Sequence, residues 1–207
     1  ASTFYRSNAN ALSGSVSATL ATDTFSLGYS GSGARAGNYD GGGDDGVVRS
    51  SEYKSLNHDL TLAARQNNHL AVLEVGQQYI PYEGYPNQYM DMTDNRSINI
   101  NGRYEGDFDW GTFNARAYWQ GVDHEMNFLE DKRGIANGGM PMNTTADNLG
   151  YVFKAAFDLE NAGVLHIGNE LHVERLDDWW PAVAGSMMMG PDEFVSINGG
   201  ERDRLGT

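Results

Sequence analysis

Segments of about ten residues in which apolar and polar side chains alternate recur along this whole chain, and almost nowhere does an amphipathic-helix spacing replace them. Because successive strand residues point to opposite faces, each segment reads as a strand with one apolar and one polar side. In residues 97–106, Ile98, Ile100 and Tyr104 oppose Asn99, Asn101, Arg103 and Glu105. In 112–121, Phe113, Ala115, Ala117 and Trp119 oppose Thr112, Asn114, Arg116 and Tyr118. Residues 148–159 set Leu149, Tyr151, Phe153, Ala155 and Phe157 against Asn148, Val152, Lys154 and Asp158. Residues 164–174 set Leu165, Ile167, Leu171 and Val173 against His166, Glu170, His172 and Glu174, with Asn169 as a polar exception on the apolar side. Similar segments lie at 12–20, 25–29, 56–62 and 70–79, although Glu74 leaves the outward face of the last ambiguous. About eight strands are expected.

The connections alternate too. Tight turns fall near Asp23, 65–69, 107–111 and 160–163, and long polar loops at 34–49, 81–95, 122–146 and 175–200. Long structureless loops are uncommon in compact domains, and loops on every second connection are how transmembrane β-barrels are wired, with short periplasmic turns and longer extracellular loops. Tyr104, Trp110, Trp119 and Tyr151 lie on the apolar faces where interfacial aromatic girdles belong, and the opposite faces mix charges of both signs, as a polar lumen would. The expected fold is therefore all-β, an antiparallel up-and-down meander forming part of a large transmembrane β-barrel. A secreted β-sandwich also alternates along its strands and is the competing architecture. The longest weakly polar stretch, 179–189, is interrupted by Pro181 and is too short for a spanning helix, which needs roughly 20 residues. A ninth strand is expected to begin near Arg202, and both sheet edges are expected to pair with strands outside residues 1–207.

Composition narrows function. A formal net charge of −14 argues against a nucleic-acid partner and for attraction of cations. With no Cys, disulfide scaffolds and zinc-thiolate sites are excluded. No Gly-x-Ser-x-Gly elbow, His-Glu-x-x-His pair or phosphate-cradling loop is present, so no enzyme is expected and no catalytic residues or catalytic cofactor are assigned.

Pro81-Tyr-Glu-Gly-Tyr-Pro-Asn-Gln-Tyr-Met-Asp-Met-Thr-Asp-Asn-Arg96, Tyr104-Glu-Gly-Asp-Phe-Asp-Trp-Gly-Thr-Phe-Asn114 and Gly139-Met-Pro-Met-Asn-Thr144 resemble the barrel of a TonB-dependent outer-membrane receptor, and within that family the copper receptors. The resemblance implies that residues 1–207 are a partial receptor barrel from the bacterial outer membrane, lacking the plug domain. It further implies transport of copper or a copper complex, with outer-membrane lipid, the plug of the same full-length chain and the TonB energy-coupling protein as partners. Copper receptors of this kind are thought to hold metal with a His-x-Met pair from a barrel loop and a Cys/Met pair from the plug. His124-Glu-Met126 matches the barrel half, and nothing here matches the plug half.

Methionine placement points the same way without the resemblance. All eight methionines lie in or beside the expected long loops: Met90, Met92, Met126, Met140, Met142, Met187, Met188 and Met189. Thioethers are soft ligands that select Cu(I), and imidazole accepts either copper state. His124 with Met126 is the leading pair, followed by Met90 with Met92 and Met140 with Met142, since alternate residues of an extended segment project the same way. The other reading is that methionine fills gaps in loop packing. His166, Glu170 and His172 share a face and line either a cation path or a hydrogen-bonded network. His58 and His69 are expected to pack at the membrane interface. Asp40, Asp44, Asp45, Asp91, Asp94, Asp123, Glu125, Glu130 and Asp131 are expected as a solvated acidic mouth that concentrates cations. Two other functions stay open: uptake of an iron chelate or a vitamin, and a secreted β-sandwich in which Trp179, Trp180 and Tyr85 stack on a sugar.

Overall fold

The computed structural model describes residues 1–132 and 138–207, so the middle of the expected loop at 122–146 lies outside the described residues. The chain forms one antiparallel sheet of ten strands in sequence order. These are β1 (Ser2–Arg6), β2 (Ala11–Ala21), β3 (Phe25–Ala36), β4 (Tyr53–Gln66), β5 (His69–Glu83), β6 (Asp91–Phe108), β7 (Gly111–Asn127), β8 (Met142–Asp158), β9 (Val164–Trp180) and β10 (Phe194–Gly206). The eight expected strands are β2 to β9. β1 was hidden by its shortness, and β10 begins at Phe194 rather than near Arg202 because the alternation Phe194, Ser196, Gly200 is too weak to announce it. Every strand pairs only with its sequence neighbours, so among the described residues no second sheet covers either face and the sandwich architecture is excluded.

Register aligns the apolar faces into one band. Phe113 pairs with Ala155, Ala115 with Phe153, Ala117 with Tyr151 and Trp119 with Leu149, and Ile100 and Val173 continue the Trp119 row on either side. Leu20, Leu27, Leu62 and Leu73 extend the same face across β2 to β5. Glu74 pairs with Thr61 and Asn101 on the opposite face, which resolves its ambiguity. From the Gly111–Phe157 pair to the Gly121–Asp147 pair is ten residue steps along β7. At about 3.4 Å per step and a tilt near 40°, that spans about 25 Å along a barrel axis, the height of a lipid-facing band. Immediately above it the same face turns polar, with Arg96, Asp123, Thr145 and Asp177 in one row.

Asn169 sits inside this band without an unmet polar atom. Its side-chain oxygen accepts from the Tyr151 hydroxyl at 2.8 Å, and its amide nitrogen donates to the Gly206 carbonyl at 2.9 Å. Such pairing is what tolerates a polar group in lipid.

Tight turns close the lower end. Thr22 folds back through its hydroxyl, which accepts from the Phe25 backbone N–H at 2.9 Å. Asn67 takes a positive φ of 50° in the two-residue turn between β4 and β5. At the other end the strands run further than the expected nine to eleven residues, reaching 18 in β6. The loops narrow accordingly to residues 37–52, 84–90, 128–141 and 181–193. Among the described residues, buried side chains collect at this end: Ala36, Met90, Met92 and Phe128 among the apolar ones, Ser50, Asp91, Asn95 and Ser97 among the polar ones.

Candidate functional site

Above the band, β6, β7 and β8 continue upward with their polar faces aligned. Met92 pairs with Met126, and Met126 with Met142, so three thioether side chains stand side by side on one face. Directly paired residues lie about 4.5–5.5 Å apart at Cα, close enough for their side chains to touch. One row below, Asn95 pairs with His124, His124 with Thr144 and Thr144 with Asp178. Met92 reaches this face through a β-bulge: the register between β6 and β7 steps at Thr93, whose hydroxyl donates to Glu125 Oε1 at 2.9 Å. β5 carries a matching step between Tyr79 and Tyr82 against β4, which keeps β5 and β6 in register through the Glu83–Met92 pair.

His124 is held neutral with one ring nitrogen unprotonated. Nδ1 lies 3.0 Å from the Asn95 side-chain oxygen, which can only accept, so Nδ1 carries the proton and Nε2 keeps its lone pair. Burial pushes its pKa below the ordinary imidazole value, and Asp178 opposes this more weakly. Asp178 is itself engaged, accepting from the Thr144 hydroxyl at 2.7 Å and from Ser196. Met90 is buried just ahead of β6, and Met140 is half-buried in the loop before β8, with its N–H bonded to the Asn127 side chain at 2.9 Å. Met92, Met126 and Met142 thus lie on strands and not in loops, and Met90 and Met92 also serve in packing, at 9% and 5% exposed.

Two of the acidic residues expected at a solvated mouth are instead the fasteners of the loops. Asp91 is 0% exposed. It accepts from the Tyr85 N–H at 2.8 Å and the Leu129 N–H at 3.0 Å, and pairs with Lys132 Nζ at 2.7 Å. Lys132 also donates to the carbonyls of Tyr85 and Gln88. Asp131 accepts from the Ser50 N–H, the Ser50 hydroxyl and Asn38 Nδ2, each at 2.8 Å. Burial alone would raise the pKa of Asp131, but these donors hold it below the ordinary carboxylate value. Glu52 is pushed up, first by burial and then by Asp131, Glu130 and Asp91 nearby. A Cβ on Gly84 would stand 2.3 Å from the Ser50 backbone, so loops 37–52 and 84–90 meet where only glycine fits. Sequence reasoning missed this fastening, as well as Asn95, Thr144 and Asp178. Strand parity could have found Asn95, whereas nothing local distinguishes Asp91 from a solvated aspartate.

Of the remaining histidines, His58, His69 and His172 have hydrogen-bond partners. His172 lies between the Tyr118 hydroxyl at 2.5 Å and Glu174 at 2.7 Å, and Glu170 pairs with Arg204 at 3.1 Å. His172 and Glu170 are thus each hydrogen-bonded, whereas no partner engages His166 among the described residues. His58 bonds Tyr29 at the top of the band and His69 bonds Tyr104 near its base, as interfacial packing requires. Among the described residues no three His, Cys, Asp or Glu side chains cluster as a metal site.

No protein-family model matches the chain, and no curated protein sequence matches it. Among solved structures it is similar to one titled copper transporter OprC, with a TM-score of 0.72 and 17% identity over 83% of this chain. The chain covers 27% of that protein. At this identity the likeness concerns the fold, and with the single ten-stranded sheet it establishes an all-β antiparallel meander of the transmembrane β-barrel type.

Proposed function

We propose that this chain is part of the barrel of a TonB-dependent outer-membrane receptor that takes up copper or a copper complex. The observation that carries the reading is the cross-strand alignment of Met92, Met126 and Met142 above a neutral, hydrogen-bonded His124. Soft thioethers with one imidazole favour Cu(I) over magnesium or calcium, and the acidic charge of the chain raises the local cation concentration. Binding there is followed by release inward, using energy delivered through a plug and TonB, with no covalent chemistry. Further strands would close the sheet, since an open edge in lipid leaves backbone groups unsatisfied at several kcal/mol each. The near-complete burial of Met90 and Met92 favours a second reading, in which the thioethers only pack and the cargo is an iron chelate or a vitamin.

The test is a Cu(I) titration of the full-length receptor in detergent, oxidation state controlled, comparing wild type with the His124→Ala/Met126→Ala variant. Weaker copper binding with unchanged barrel folding is expected. Equal affinity would remove both residues from the site and leave the second reading.

A further inference from the structure

A second feature lies on the lipid-facing side at the same end of the sheet. Tyr5, Leu12, Arg35, Lys54 and Tyr82 form one continuous cross-strand row over β1 to β5, so Arg35 and Lys54 stand directly opposite each other. Like charges in that position repel. No hydrogen bond or ion pair engages either of them among the described residues, in a chain whose net charge is −14. By contrast Arg96, one row lower, is paired with Asp94 at 3.1 Å and lies over Tyr79.

Below the two cations the face is hollow. Gly14 pairs with Gly33, and a groove of about 390 Å³ runs over them between Thr3, Leu12 and Leu56, with Arg35 and Lys54 at its head. It opens at the upper border of the apolar band, where lipid tails give way to head groups. Two uncompensated cations at the head of an apolar groove match an anionic amphiphile.

We propose that this groove binds a phosphate-bearing lipid of the outer leaflet, its phosphate set between Arg35 and Lys54 and an acyl chain laid along Gly14 and Gly33. The assignment rests on the outer-membrane barrel reading but not on copper. Such a lipid would relieve the repulsion between the two cations through charge-assisted hydrogen bonds to its phosphate.

The test uses the full-length receptor, purified in detergent and stripped of lipid, titrated with lipid A, dephosphorylated lipid A or inorganic phosphate. Wild type should bind lipid A at least about tenfold more tightly than the dephosphorylated form, the loss expected for one charge-assisted contact. Arg35→Ala/Lys54→Ala should erase that preference. Gly33→Leu, which fills the groove and keeps both cations, should weaken lipid A binding too. Equal binding of the two lipids by wild type, or equal lipid A binding by wild type and both variants, overturns the proposal, as does inorganic phosphate competing as well as lipid A. Heat-modifiable gel mobility, which reports the folded barrel, separates these outcomes from failure of the membrane reading itself.

Discussion

The lower and upper halves of this sheet solve the same problem in different ways. In the band, one layer of strands exposes Leu20, Leu27, Leu62, Leu73, Ile100, Leu149 and Ile167 outward, and among the described residues no partner layer covers them. Lipid is the only core that half needs. Above the band the surroundings are aqueous, and the chain folds loops 37–52, 84–90 and 128–132 together around Asp91, Ser50 and Asp131. A solvent-facing half must supply its own interior, and among the described residues that interior mixes apolar and polar side chains in equal number, with the loops fastened by hydrogen bonds to carboxylates. Order in the first half is therefore set by the medium, and in the second by a few named side chains.

The contrast can be broken at its strongest point with Asp91→Ala. Losing one partner of a buried ion pair costs about 3–5 kcal/mol, which should fall on the loops and not on the strands. Hydrogen exchange should show residues 84–90 and 128–132 losing protection while heat-modifiable mobility is kept. Loss of the whole barrel would show that the two halves are not separable. Next, Phe153→Arg in the band should cost about 2–4 kcal/mol in denaturant unfolding from lipid vesicles. Thr145→Arg, on the same face of β8 but above the band, should cost no more than about 1 kcal/mol. Similar costs at the two sites would move the membrane border. Smaller than the Phe153→Arg cost is that of Tyr151→Phe, which leaves the Asn169 oxygen without its donor inside the band, at about 1–2 kcal/mol by the same unfolding measurement.

The finest effect concerns pH. His124 has a folded pKa below its unfolded value, so its contribution to stability is complete above the unfolded value and is lost as pH falls toward the folded one. Copper affinity, taken as wild type minus His124→Ala, should accordingly stay level through the ordinary imidazole range near pH 6.5 and decline only below it. A decline centred at the ordinary value would mean that the imidazole is exposed.

Alternation made the strands legible because the band is read by lipid alone, one residue at a time: Phe113, Phe153 and Leu165 declare their face without knowledge of any partner. The loop end obeys no such local rule. Asp91 and Asp94 look alike in sequence, yet one is sealed under Lys132 and the other lies beside Arg96, because contacts between loops distant in the chain decide their fate. The thioether residues were recognisable as a set. Their alignment was not, since it depends on register across three strands and on one bulge.

That bulge makes the alignment a matter of arithmetic. Asp94 faces outward opposite Glu125, so two residues back along an unbroken strand Met92 would face outward as well, and the extra residue Thr93 reverses it. Removing Thr93, with a matching deletion between Tyr79 and Tyr82 on β5, would turn Met92 to the outer face of the sheet while every methionine stayed in the sequence. The number of soft donors on offer is thus encoded in chain-length parity. Among homologous barrels, gain or loss of such a donor would be expected as a one-residue insertion or deletion at this level, invisible to any comparison that scores only which amino acids are present.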